Sequence, residues 1–242
     1  MLVYHHNSMK TISFVNLKGG VGKTSICLNL AAAVSKRGRR VLLLDLDPSA
    51  SLTYSLLENV ETAAPRYPDD WTRAVVPFNH YDLVPGSLEL EDLEKKKDLH
   101  ILKQALQQAK GYDFVFIDCP PALDVLTIMA ILASSTVCAV INARLLEYRG
   151  LVAIDDTIRA LRAKARRKVI VNEYDGRRRL EQDLLKKLKK DYGEDLYRST
   201  VRRSVAVPES VVRSMDVLAH RRTSPVAKDF EALAREFLRK EG

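Results

Sequence analysis

Eight consecutive residues, Lys18-Gly19-Gly20-Val21-Gly22-Lys23-Thr24-Ser25, gather three glycines, two lysines and two hydroxyls. Glycines let backbone N–H groups turn toward an anion and approach it closely. A lysine directly after the last glycine can reach the β- and γ-phosphates of a nucleotide, and the next hydroxyl can ligate Mg²⁺. Two further stretches end apolar runs in carboxylates: Val41-Leu42-Leu43-Leu44-Asp45-Leu46-Asp47-Pro48 and Tyr112-Asp113-Phe114-Val115-Phe116-Ile117-Asp118-Cys119-Pro120-Pro121. An acid at the C-terminal end of a parallel strand lies where ligands bind in open α/β sheets. Asp47 thus falls at a ligand-binding edge, and Asp118 is a candidate for holding Mg²⁺ through a water molecule.

These groups need elements to position them. Thr11-Ile12-Ser13-Phe14-Val15 reads as a buried strand and Ile26 to Val34 as a helix, so the glycine stretch is a strand-to-helix turn. The helix N-terminus adds unpaired N–H groups and partial positive charge. Continuous apolar runs suit parallel strands covered on both faces. Asp82-Leu83-Val84, Thr136 to Ile141 and Lys168 to Asn172 are further strands. Helices are expected at Leu88 to Lys97, from Leu99 and from Ala122. Pro65, Pro68 and Pro77 argue against a long helix between Leu52 and Tyr81, outside a short turn at Trp71. Alternating strands and helices give an α/β fold, a doubly wound, mostly parallel sheet flanked by helices.

The first glycine of the usual phosphate-loop pattern would fall at Leu17, and Lys18 follows it. This K-G-G-V-G-K-T-S string resembles the deviant Walker A loop of the ParA/MinD family of P-loop ATPases. The D-L-D-P and D-C-P-P strings resemble that family's next two motifs. The likeness runs from Met9 to about Glu241, dense to Asp118 and thinner after Asn142. It implies ATP or ADP with Mg²⁺ as cofactors. It implies that Lys18 reaches across a homodimer interface to the partner's phosphates, that Gly19 to Ser25 cradle the nucleotide, and that Thr24, Asp47 and Asp118 hold the metal. It also implies that Asp47 orients the attacking water. Asn172 matches an adenine-reading asparagine of several relatives; on its own chemistry it is equally a turn residue. Pro208 joins the nucleotide contacts by the same likeness. Asp124 stands near the position where the family's loop approaches the γ-phosphate.

The 242 residues, 46% hydrophobic, fit one large domain over residues 9–242, with residues 1–8 expected as a disordered extension. No run of about 18 apolar residues marks a membrane span. Cys27, Cys119 and Cys138 form no C-x-x-C pair, which suits a reducing, cytoplasmic setting and disfavours the iron–sulfur relatives of this loop. His80, His100 and His220 lack metal-like spacing.

The net charge of +8 is uneven. Met1 to Asn142 carries 14 basic and 15 acidic residues, whereas Ala143 to Gly242 carries 25 and 16. An excess of that kind suits a polyanion, nucleic acid first, although it also suits a plain solvated surface. Family members of the partition type bind DNA without sequence preference through this part. The resemblance places Arg177 and Arg203 closest to those positions, with Arg202, Arg221 and Arg222 beside them. The Lys186 to Lys190 run, interleaved with Leu184, Leu185 and Leu188, reads as a solvated helix face. Only the short extension precedes Met9, so no helix-turn-helix and no sequence-specific repressor role are expected. The last helix, Pro225 to Lys240, aligns Phe230, Leu233, Ala234, Phe237 and Leu238 on one side. Its mixed outer charge favours docking on the protein's own core over a lipid surface.

Together these readings imply a nucleoid-associated ATPase, dimeric with ATP, that binds nonspecific double-stranded DNA. It would partition a plasmid or chromosome with a ParB-like or other cargo adaptor that stimulates hydrolysis, and without stable membrane association. The alternatives are the same engine moving an organelle or chemoreceptor array, and a MinD-like membrane-cycling division-site regulator. A metabolic ligase on the same fold is more remote.

Overall fold

Continuous Val, Ile, Leu and Phe runs suit strands covered on both faces, and the computed structural model of the chain contains such strands. It describes residues 9–57, 69, 71–78, 80–96 and 98–242; the expected extension at 1–8 and the whole 58–68 segment lie outside these. The strands are β1 (Lys10–Val15), β2 (Val41–Asp45), β3 (Val76–Phe78), β4 (Tyr81–Val84), β5 (Phe114–Asp118), β6 (Thr136–Asn142) and β7 (Arg166–Asn172). They form one sheet ordered β3-β4-β2-β5-β1-β6-β7, parallel throughout except for the β3–β4 pair at one edge.

The helices are α1 (Lys23–Ser35), α2 (Ser51–Tyr54), α3 (Leu90–Glu94), α4 (Ile101–Leu106), α5 (Val125–Ala133), α6 (Leu145–Ala160), α7 (Arg179–Tyr192), α8 (Ala206–Val212), α9 (Val217–His220) and α10 (Pro225–Glu241). They cover both faces, giving two apolar layers. One joins alternate residues of β1, β2 and β5, such as Phe14, Leu43 and Phe116, to α1 and α10. The other joins Leu42, Leu44, Val115 and Ile117 to α4 and α5. Alternation of side chains along each strand assigns neighbours to opposite layers.

The last helix docks as expected. Phe230, Leu233, Ala234 and Phe237 are fully buried, and Phe237 stacks edge-on against Phe114 and Phe116 at 5.2 and 5.4 Å. That apolar side is therefore engaged within the chain rather than offered to lipid. Ser224 caps the helix, with Pro225 in its first turn. Among the described residues no helix is long and apolar enough to cross a membrane. The three cysteines are buried and free.

Two expectations are corrected. The helix expected from Ala122 begins at Val125, because the Asp124 carboxylate accepts the Thr127 N–H at 2.9 Å and caps it. Asp124 thus has a structural task. The segment before Tyr81 ends in β3, an antiparallel edge strand that three residues containing Pro77 did not announce; an edge tolerates proline's missing N–H.

Candidate functional site

β1 lies between β5 and β6, so the loop leaving it stands over the middle of the sheet's C-terminal edge. Asn16 pins its start. Its side-chain amide donates to the Val140 carbonyl at 2.6 Å on β6, and its side-chain oxygen accepts the Lys18 N–H at 2.8 Å. Gly20 and Gly22 hold left-handed φ angles of 75° and 87°, which a side chain would strain. Lys18, Gly19 and Gly20 are exposed, whereas Val21 and Lys23 are buried, with Lys23 opening α1. The exposed lysine and the buried lysine five residues apart thus face different surroundings.

Thr24 and Asp118 meet across the loop: the threonine hydroxyl donates to the Asp118 carboxylate at 2.6 Å. The second Asp118 oxygen is buried and has no partner. Burial first, and then the neighbouring Asp45 carboxylate, push the Asp118 carboxyl up to about 8, against the Thr24 hydrogen bond and the Lys23 charge. A buried, half-satisfied carboxylate beside a threonine hydroxyl is a donor set that fits a hard divalent cation with its own waters, Mg²⁺ in particular.

Asp45 ends β2 and Asp47 lies two residues beyond it, in a different environment. Asp45 is fully buried and accepts the Thr53 N–H at 2.8 Å, the Thr53 hydroxyl at 2.7 Å and the Asp47 N–H at 3.2 Å. Thr53 in turn accepts the Gly86 N–H at 2.8 Å. A side chain at Gly86 would meet the Asp45 carboxyl carbon at 2.8 Å. Burial nevertheless raises the Asp45 pKa. This clasp ties β2, α2 and the turn after β4 together, and it holds the loop that carries Asp47. Asp47 is only partly buried and accepts the Ser49 N–H at 2.9 Å. The importance of Asp45 escapes sequence reasoning, because its partners are brought to it by the sheet.

Asn172 lies beside the loop. Its side-chain nitrogen donates to the Val21 carbonyl at 2.8 Å and fills the space that a side chain on Gly22 would need. That bond engages the amide nitrogen in holding the loop.

A cleft of about 950 Å³ opens beyond the ends of β6 and β7. Arg177, Arg202, Arg203 and Pro208 line it, together with Asn142 and Glu173. Its arginines carry counter-charges. Arg177 makes a two-pronged pair with Asp175, at 2.9 Å for each contact. Arg202 does the same with Asp229 at 2.6 and 2.8 Å, and Arg203 lies 3.8 Å from Glu173. The paired Arg177 holds the Asp175 carboxyl down at about 2. Arg221 lies outside the cleft lining, 3.0 Å from Glu209, and Arg222 is exposed next to it. Among the described residues no group of His, Cys, Asp and Glu forms a metal cluster of its own.

With this geometry in view, the chain can be compared with known proteins. Residues 9–171 match the model of the AAA domain family AAA_31. The chromosome-partitioning ATPase Soj of Thermus thermophilus is 30% identical over 95% of this chain and 96% of its own. A structure described as a plasmid partition protein of Borrelia burgdorferi bound to AMPPNP superposes with a TM-score of 0.83 at 23% identity, covering 96% of this chain and 99% of that one. A structure described as cobyrinic acid a,c-diamide synthase of Mycobacterium smegmatis, with an ATP analog and magnesium, gives 0.82 at 26% identity over 96% and 94%.

Proposed function

This chain belongs to the ParA family of AAA-domain proteins, and from that premise we propose that it is a Mg²⁺-dependent ATPase that positions a DNA cargo. The observation that carries the reading is the junction of Lys23, Thr24 and Asp118 under a glycine loop, with a second, exposed lysine on the same loop. Lys23 and the loop N–H groups would bind the β- and γ-phosphates of ATP. Thr24 and Asp118 would hold the metal, which supplies positive charge to the phosphate oxygens. Asp47, on its clasped loop, orients the water that attacks the γ-phosphorus. Lys18, exposed on the same loop, would neutralise charge developing on the nucleotide of a second subunit.

Such a trans contact exists only in a nucleotide-holding dimer, so ATP favours dimerisation. The dimer would present two basic C-terminal surfaces to nonspecific double-stranded DNA. The candidate residues are Arg177, Arg202, Arg203, Arg221 and Arg222. Phosphate contacts of this kind give affinity without base readout. Hydrolysis would release the dimer from DNA, and an adaptor bound to a plasmid or chromosome would stimulate that step.

The test is DNA binding across a salt series with ATP, ADP and no nucleotide, for wild type and Arg203→Ala. ATP-dependent, salt-sensitive binding weakened by Arg203→Ala supports the proposal. Absence of DNA binding in every nucleotide state overturns it.

A further inference from the structure

The apolar run of α1 from Ile26 to Val34 is broken once, by Asn29. Its side chain is 1% exposed, so the amide has to be satisfied within the protein. The nitrogen donates to the Ser25 carbonyl at 2.8 Å, one turn back at the phosphate loop. The oxygen accepts the Val217 N–H at 2.7 Å, from the far end of the chain at the start of α9. An N–H only donates and a carbonyl only accepts, so the two partners fix which end of the amide faces which. Lys36, the residue that ends α1, lies 3.8 Å from the Asp216 carboxylate. Asp216 caps α9 by accepting the Ala219 N–H at 2.9 Å. The helix that opens with Lys23 and Thr24 thus grips the first turn of α9 at two points.

The grip reaches further. α9 is followed by Arg221 and Arg222. His220 and Arg221 both approach the Glu209 carboxylate on α8, at 3.5 and 3.0 Å. α8 also carries Pro208, which lines the arginine cleft. A continuous set of polar contacts therefore joins Ser25, Asn29, α9 and α8. We propose that Asn29 is a positioning residue: through it, nucleotide phosphates bound at the loop fix the placement of α9 and of the arginines that follow it. This rests on the reading of the loop as a nucleotide site. Phosphates that hold the first turn of α1 restrain the Ser25 carbonyl, and with it the amide that holds the Val217 N–H. Apolar side chains packed around α1 can slide without losing burial, whereas a hydrogen bond weakens steeply once misaligned. The buried amide is therefore the contact between α1 and α9 that is most sensitive to their relative position. Coupling of this kind is reciprocal, so a well-placed α9 also favours the nucleotide-holding form of the loop.

The test is hydrogen exchange of the Ala219, His220 and Arg221 amides in the full chain, with and without ATP and Mg²⁺, beside an ATP titration and urea unfolding. ATP should slow exchange at these amides in wild type by about fivefold or more, the low end of ordinary coupling between sites. Asn29→Leu and Val217→Pro each leave one buried partner unpaired, and each should destabilise the fold. Proline suits position 217, the first residue of α9, because Asp216 before it is extended at φ −77° and ψ 160°. Combining the two removes both partners, so the double variant should regain stability towards wild type. It should bind ATP, yet ATP should no longer slow exchange at α9. A purely structural Asn29 would give back the ATP effect together with the stability, and that result overturns the proposal. Wild type that binds ATP with unchanged exchange at these amides overturns it as well, whichever variants fold. Wild type that binds no ATP sinks the nucleotide reading itself.

Discussion

Replacing Gly22 with alanine should be far costlier in wild type than in a chain that lacks the Asn172 side chain. Two separate penalties meet at this position. The first is conformational: at φ 87° a Cβ costs roughly 1–2 kcal/mol. The second is steric, because the new carbon would sit 2.2 Å from the Asn172 side-chain nitrogen. The asparagine must swing away and surrender its bond to the Val21 carbonyl, a loss of about 1 kcal/mol, and more if the amide stays buried without a partner. Gly22→Ala should therefore destabilise wild type by about 3 kcal/mol and the Asn172→Ala background by about 1–2 kcal/mol. Urea unfolding of the four proteins closes the double-mutant cycle. A coupling of about 1 kcal/mol is expected, with the double variant more stable than additivity predicts. Equal costs in both backgrounds would refute the clasp between loop and asparagine. Nucleotide binding should follow the same order, since that clasp fixes the loop.

The Asp118 and Asp45 carboxyls are both raised in the folded chain, so each contributes stability that is complete below pH ~4. That stability is lost as pH climbs through the folded values, near 8 for Asp118. Metal-free protein should therefore melt at lower temperature as pH rises from 5 to 9, and Asp118→Asn should flatten the curve; a wild-type melting point that rises over this range would refute the assignment. Gly86→Ala, whose Cβ would press on Asp45 and on the Asp47 carbonyl at 3.0 Å, should disturb the Asp47 loop. ATPase activity should then fall at least tenfold with ATP binding largely kept, and loss of binding instead would place the damage at the phosphate loop. Asp229→Asn should free Arg202 from its two-pronged pair. DNA affinity should rise severalfold and its salt dependence should steepen; unchanged binding would exclude Arg202 from the interface. Lys23→Gln should abolish measurable binding of ATP in a titration, and retained affinity would remove this lysine from the phosphate site.

The glycine loop between β1 and α1 was legible in the sequence because its glycines, lysines and threonine are contiguous. Asp118 was legible because an acid at the end of an apolar strand can be placed by the strand alone, and the alternation of strands and helices announced the doubly wound sheet. Other features depended on distant residues. Asp45 and Asp47 look alike in sequence, yet one is buried in a clasp with Thr53 and Gly86 while the other remains on the loop. The charge excess after Asn142 marked a basic half-chain, but Arg202 meets its counter-charge 27 residues away in Asp229. Asn142 and Asn172, 30 residues apart in the chain, stand side by side only because β6 and β7 pair in register. Local chemistry is written in adjacent residues, whereas burial and pairing depend on which distant segments the sheet brings side by side.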